Sequence, residues 1–550
     1  MLWPVIGFGV LRTFVWTVLC APARAWRASG LRRFSSTPLW VRSRSWWRTP
    51  WLVLSLVLSS LPPAAAHEGV SRWIDAAGQP TPLARQALAL LADAPSHGLD
   101  PRDYGLPALQ QQWAADPREA APALETGFLD YLRDLRNGWA PAEARPAGAR
   151  AAAFDAAAVL RAAAATGELA QAVRAAVPSV PQYERLRETL VQYRGLAGHP
   201  AWREPLPALP LPPRARVRAL APGQAWAGVP LLTARLAALG DLPAADAAMA
   251  RADLYEGALV AAVQAFQRRH GLQGDGVIGP ATLAALQVKP AARVQQLELA
   301  LERLRWVPLH SAPRMIVVNI PEFVLRAYEL QDERIAVREQ MRVVVGRAPG
   351  TRTPLLKEDL RRIEFKPYWN VPPSIARNET IPRLRRDPAY WTREGFEFVG
   401  AGGIADPVLS EAKLQAVLAG SLRIRQRPGP RNALGDIKFV LPNRQSIYLH
   451  HTPSVQLFEQ SRRDFSHGCI RVEHPVALAA FALAGLPDWD EARVRAAMAA
   501  AQPSTVALPQ PVPVLLAYTT ALVKDGRVHF FEDIYGHDRE LARVLRGRRF

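Results

Sequence analysis

"SIYLHHTPSVQLFEQSRRDFSHGCIRV" (446–472) is the stretch on which the reading of this chain turns. It opens with an alternation that suits a β-strand. Ile447 and Leu449 fall on one face and Tyr448 and His450 on the other, because successive side chains of a strand point to opposite sides. The apolar pair belongs in a core, so Tyr448 and His450 point together at the opposite side, and His451 shares the parity of Leu449. The stretch closes on Cys469, which apart from Cys20 is the only cysteine in the chain. His467, Glu473 and His474 crowd around it. The chemistry therefore divides three ways: Cys469 is a nucleophile, a metal ligand or a small buried side chain.

As a nucleophile, Cys469 needs help, since a thiol with a free pKa of about 8.5 is mostly protonated at neutral pH. A histidine can take that proton and return it to a leaving amine, and parity makes His450 the candidate. Gly468 leaves room for a substrate to approach the backbone. The N–H groups near Gly468 and Cys469 are candidate oxyanion donors. The apolar run "HPVALAAFALAGL" (474–486) predicts a helix whose dipole favours a thiolate just upstream. As a metal site, His450, His451, His467, His474 and Cys469 supply enough ligands for zinc, but no pair has HExxH or CxxC spacing.

Outward from this stretch, "RMIVVNIPEFVLRAYE", "EQMRVVVGR", "RRIEFKPYW" and "DIKFVLP" read as strands. Residues 378–435, polar and rich in Pro, Gly and aromatics, read as a loop-rich excursion of the kind that serves as a lid. Residues 67–245 read as helices broken by proline-rich joints, with no catalytic constellation. "LPALPLPPRARVRALAPG" (206–223) reads as a linker. In residues 246–290 an amphipathic helix carries Leu259, Val263 and Phe266 on one face, and Pro280 opens a second helix after a tight "GDGVIGP" loop. The unit as a whole, "VQAFQRRHGL" followed by "DGVIGPATLAAL", resembles the peptidoglycan-binding type 1 domain, a three-helix module.

The chain has 550 residues and a formal charge of +19, enough length for two to four domains. Its first 66 residues hold eight arginines and no Asp, Glu or Lys. A basic start, the apolar run 51–61 and Ala64-Ala65-Ala66 have the layout of a secretory leader cut after Ala66. The apolar run is short for a membrane span, and uncleaved it would serve as an anchor. A true start near residues 39–41 is expected. Losing the eight arginines would leave +11, which suits an anionic partner such as cell-wall polymer. Export argues against nucleic acid as a partner and leaves Cys469 without a disulfide mate.

"HHTPSVQLFEQSRRDFSHGCIRV" resembles the active-site signature of the L,D-transpeptidases with a YkuD-type catalytic domain. "VVVGRAPGTRTPLL", "FKPYWNVPPSIARNETIP" and "PGPRNALGDIKFVLPN" extend the resemblance to the large YcbB-type members. It implies a multidomain α+β chain: a leader at 1–66, a helical scaffold at 67–245, the binding module at 246–290, a mostly-β catalytic domain at 305–504 with a capping insertion at 378–435, and a C-terminal extension at 505–550. It implies Cys469 as the nucleophile attacking a stem peptide between its third residue and D-Ala, and His450 as general base and then acid. Tyr448, Ser466, His467, Gly468 and Arg471 would support the oxyanion site and the loop. The acceptor would be the side-chain amine of a second stem, giving a 3→3 cross-link in cell-wall biogenesis in the periplasm, or at the inner membrane if the leader is kept. No cofactor or metal is implied, and carbapenem-type β-lactams would acylate Cys469. Large members place an acid after the histidine; here His451 stands there, and a backbone carbonyl can orient the imidazole instead. An L,D-carboxypeptidase and a non-catalytic wall-binding scaffold are the alternatives.

Overall fold

The β-branched and aromatic runs of the C-terminal half form one nine-stranded sheet. The computed structural model describes residues 72–547 apart from 142–143, 146–152, 213–215, 308–311 and 332–333, so the expected leader lies outside the described residues. The strands are β1 (Arg314–Asn319), β2 (Val324–Gln331), β3 (Arg334–Gly346), β4 (Leu356–Phe365), β5 (Ile437–Val440), β6 (Leu449–His450), β7 (Asp464–Ser466), β8 (Ile470–Val472) and β9 (Ser504–Ala517). Their order is β7-β3-β8-β6-β5-β4-β9-β1-β2, and β2 also pairs with β3, so the sheet closes on itself. The long β3 makes this possible: residues up to Arg342 pair with β2, while Val343 and Val344 pair with β8. Inside lie Val343, Val345, Ile363, Phe365, Phe439, Leu449 and Ile470, covered by the apolar helix Pro475–Leu483.

Four boundaries differ from the sequence reading. Residues 505–550 are not an appendage, because β9 runs between β4 and β1 in the middle of the sheet. Its prolines disguise it. Pro509 and Pro511 fall in a register break between Ala507 and Val512, and Pro513 precedes Val514, the first residue paired with β1. Proline is tolerated where the ladder needs no donor.

The insertion is not loop-rich. It is a small α/β unit whose strands Trp369–Asn370, Arg423–Gln426, Phe396–Val399 and Ala405–Asp406 pair in that order. Val371, Leu384, Trp391, Phe396, Phe398, Leu414 and Ile424 give it a core of its own, which begins before residue 378.

The binding module also begins upstream of residue 246. Leu206, Leu209, Leu220, Trp226, Val229 and Leu232 share one core with Leu259, Val263, Phe266, Ile278 and Leu286. The proline-rich path is therefore packed structure: its prolines hold the chain extended while its leucines insert. Buried Arg235 donates to the carbonyls of Ala201, Glu204 and Leu286 and pins that path to the module.

Finally, the scaffold core runs from Trp73 to Ala176. The helix Pro181–Gly195 packs instead with Pro290–Leu304 and with the hairpin Ala521–Lys524/Arg527–Phe530. Among the described residues no helix is long and apolar enough to cross a membrane.

Candidate active site

Registers across four adjacent strands place the candidate residues in rows. Glu364 on β4 faces Lys438 on β5, Lys438 faces His450 on β6, and His450 faces Arg471 on β8. Paired residues share a sheet face, so these four form one row. One row back along the parallel pair β6–β8, Tyr448 stands beside Cys469, and the Ile470 N–H donates to the Tyr448 carbonyl at 3.0 Å. The strand is shorter than the alternation predicts, yet Tyr448 and His450 do share a face, with ring centroids 5.7 Å apart. The Lys438 ammonium lies 4.7 Å over the Tyr448 ring and 3.2 Å from Glu364 Oε2.

His450 is buried, and its Nδ1 lies 2.5 Å from the His451 carbonyl oxygen. That acceptor puts the ring proton on Nδ1 and leaves the Nε2 lone pair open, the tautomer a general base needs. Burial, with Arg471 and Lys438 adding positive charge on either side, pushes its pKa down to about 3. The imidazole is thus neutral at physiological pH. Cys469 is neutral too: burial raises its pKa, and hydrogen bonding to Tyr448 only partly offsets this. The Sγ lies 3.6 Å from the Ser446 carbonyl oxygen. The resting pair is thiol and imidazole rather than thiolate and imidazolium.

The family profile of the L,D-transpeptidase catalytic domain (YkuD) matches residues 313–494, which hold every residue of these rows. This is an L,D-transpeptidase catalytic domain. Profiles of a scaffold domain and of a peptidoglycan binding domain match residues 65–190 and 227–286. A Haemophilus influenzae protein named "Putative L,D-transpeptidase" is 33% identical over 251 residues, 45% of this chain and 49% of that protein, so the match spans about half of the relative. Two solved structures align at TM-scores too low to carry an argument. Bdellovibrio bacteriovorus Bd1075 gives 0.16 at 14% identity over 43% of this chain and 56% of that one. A fused Zn-dependent amidase/peptidase/peptidoglycan-binding domain-containing protein from Clostridium acetobutylicum gives 0.12 at 16% identity over 26% and 70%.

In the transpeptidase domain the turn before Cys469 is heavily braced. Ser466 Oγ donates to the Cys469 carbonyl at 2.6 Å and accepts the Gly468 N–H at 3.1 Å. The Gly468 amide is therefore spent inside the turn and is not an oxyanion donor, contrary to the sequence reading. The Tyr448 hydroxyl, already bonded to Cys469, is a donor beside the sulfur. Gly468 has φ +115°, a backbone conformation that favours glycine, and a Cβ there would also crowd Ile447 Cδ1 at 3.3 Å. Its carbonyl accepts from the wholly buried Thr353 Oγ1 at 2.8 Å, and the same hydroxyl accepts the Gly346 N–H at 2.8 Å. Tyr535, past β9, donates to the Gly346 carbonyl at 2.5 Å. The helix dipole does not reach the thiol, because β8 stands between Cys469 and the helix that begins at Pro475.

The remaining candidates scatter. His467 turns outward to the cap, with Nε2 2.6 Å from Glu379 Oε1. Exposed His474 lies 3.7 Å from Glu473, which itself receives Arg342 from β3. His451 packs against Gly435 and lies 3.7 Å from Asp436. Among the described residues no three His, Cys, Asp or Glu side chains gather as a metal set would. Arg471 is held in the row beside His450, and its Nε is buried without a hydrogen-bond partner.

Sequence reasoning passed over Lys438, Thr353, Tyr535 and the cap residue Trp369, whose side chain hydrogen-bonds Tyr448. Only Lys438 left a signal, its alternation with Ile437 and Phe439.

Proposed function

We propose that this protein is an exported peptidoglycan L,D-transpeptidase that forms 3→3 cross-links through a thioester on Cys469. The observation that carries the reading is the His450 ring, whose Nδ1 proton is committed to a backbone carbonyl on the sheet face that also presents Cys469. His450 Nε2 takes the thiol proton as Sγ attacks the carbonyl carbon of the third stem residue. The Tyr448 hydroxyl steadies the developing oxyanion. On collapse the C–N bond breaks, and His450 delivers its proton to the departing D-Ala amine. With Arg471 and Lys438 flanking it, an imidazolium gives up that proton readily. A side-chain amine from a second stem then attacks the thioester, loses a proton to His450 and releases the thiol. The binding module would hold the polymer, and the leader pattern supports export.

Analysis of muropeptides from cells producing the protein should show 3→3 dimers that disappear with Cys469→Ala. Dimers that persist would overturn the assignment. Carbapenem treatment should leave one covalent adduct, on Cys469.

A further inference from the structure

Transfer to an amine leaves one proton that His450 does not account for. Near neutral pH an alkyl amine, with a free pKa of about 10.4, is an ammonium. As it becomes an amide it sheds two protons, and the thiol regained on Cys469 takes up one of them. His450 carries that one from the attacking nitrogen to the sulfur. The other must leave before attack, because an ammonium has no lone pair. The transfer step therefore needs a second base, placed on the acceptor's side of the thioester.

The turn that holds Cys469 supplies one. His467 stands two residues before the nucleophile, across Gly468, and two residues of chain reach at most about 7 Å. His450 lies on the sheet face beside Cys469, whereas His467 turns to the cap. Its Nε2 lies 2.6 Å from Glu379 Oε1, and a carboxylate can only accept, so the ring proton sits on Nε2. Nδ1 keeps its lone pair and meets no hydrogen-bond partner among the described residues. This is the complement of His450, whose Nδ1 is bonded and whose Nε2 is open. The His467 side chain is 36% exposed, so a proton it takes can pass on to water. Glu379 comes from the π turn Ala376–Thr380, a rare geometry that recurs at functional sites. Exposed ion pairs add little stability, so bracing alone is a poor reason for this one.

We infer that His467 is the base that readies the acceptor amine, with Glu379 as its positioning residue. This rests on the transpeptidase reading and divides its proton traffic between two histidines. His467 Nδ1 takes a proton from the incoming ammonium, and Glu379 steadies the imidazolium that forms. The freed amine attacks the thioester carbon. Its next proton passes by way of His450 to the departing sulfur, and the C–S bond breaks. His467 then returns its proton to water. The sum is ammonium plus thioester giving amide, thiol and one released proton.

The test forms the thioester on the full chain with a synthetic tetrapeptide stem. Either of two amines then resolves it: a tripeptide stem whose third residue carries a side-chain amine, or hydroxylamine, which is already unprotonated at neutral pH and needs no such base. Mass spectrometry follows both products. In His467→Gln the rate ratio, stem amine over hydroxylamine, should fall ~100-fold at neutral pH, the usual reach of a positioned base. It should recover as pH approaches the value of about 10 at which the stem amine frees itself. Glu379→Gln keeps an acceptor for the Nε2 proton but loses the charge. It should show a smaller fall, and it decides the matter should His467→Gln not fold. Both amines meet the same thioester on the same protein, so lost stability or a disturbed turn cancels from the ratio. A ratio that stays at its wild-type value, or a deficit that high pH does not repair, overturns the inference and leaves the transpeptidase reading standing. Failure of wild type to form the thioester, or an adduct that survives Cys469→Ala, overturns that reading instead.

Discussion

At Cys469 the decisive fact is the neutral state of both partners. Burial raises the thiol above its ordinary range and holds His450 down near 3, so no stable ion pair preforms. Iodoacetamide should alkylate Cys469 with a midpoint above 9.0, followed as labelling rate against pH. A midpoint near 6 would show a thiolate–imidazolium pair and sink the neutral-pair account. Tyr448→Phe should move the midpoint further up, since it removes the hydroxyl that eases thiol ionisation. Behind the nucleophile, Thr353→Val strips one hydroxyl from both Gly346 and Gly468. It should cost about 1–3 kcal/mol in a denaturant melt, the usual penalty for buried groups left unpaired.

At the scale of elements, β9 contradicts the expectation that the chain ends in an appendage, and the contradiction has a direct test. A chain stopped after residue 503 would lose the strand that bridges β4 to β1, together with Tyr535. Such a truncation should fail to give a cooperative thermal transition for the transpeptidase domain. A dispensable extension would leave the melt unchanged. Why β9 escaped sequence reading is physical: three prolines within Ser504–Ala517 argue against an interior strand, and only the register break shows how they are accommodated. The cap hid for a related reason, since its apolar core residues are spaced through polar, glycine-rich chain. By contrast, the β-branched runs of β1 and β3 and the alternation from Ile447 to His450 were legible, because strand period and core face agree there. Of the site, the shared face of Tyr448 and His450 follows from local period alone. Thr353, Trp369 and Tyr535 come from segments far along the chain, which only tertiary pairing brings to the loop.

Across the molecule, histidines shielded from water recur. Buried His97 sits in the scaffold against Tyr183 and Arg305, buried His270 stacks on Phe266 in the binding module, half-buried His529 lies on the C-terminal hairpin, and buried His450 lies in the sheet. Burial is the leading cause in each case. It holds His97 at about 2, His450 at about 3 and His529 at about 4, with His270 well below its ordinary 6.5. In the unfolded chain all four would take a proton near 6.5. As pH falls below that value the unfolded state binds protons that the native state refuses, so the stability gap narrows. The contribution is complete above about 6.5 and is lost progressively as pH falls towards the folded values. Glutamates, with an ordinary value of 4.5, enter only lower down, as Glu322 does from its depressed value of about 2. Between pH 6.5 and 4.5 the histidines therefore dominate, and the melting temperature should drop steadily through that window. Added salt should not abolish the drop, because desolvation rather than surface repulsion causes it. His97→Gln and His529→Gln together should flatten the slope in this window. A melting temperature that holds constant or rises from pH 6.5 to 4.5 would show that these rings are protonated in the folded protein.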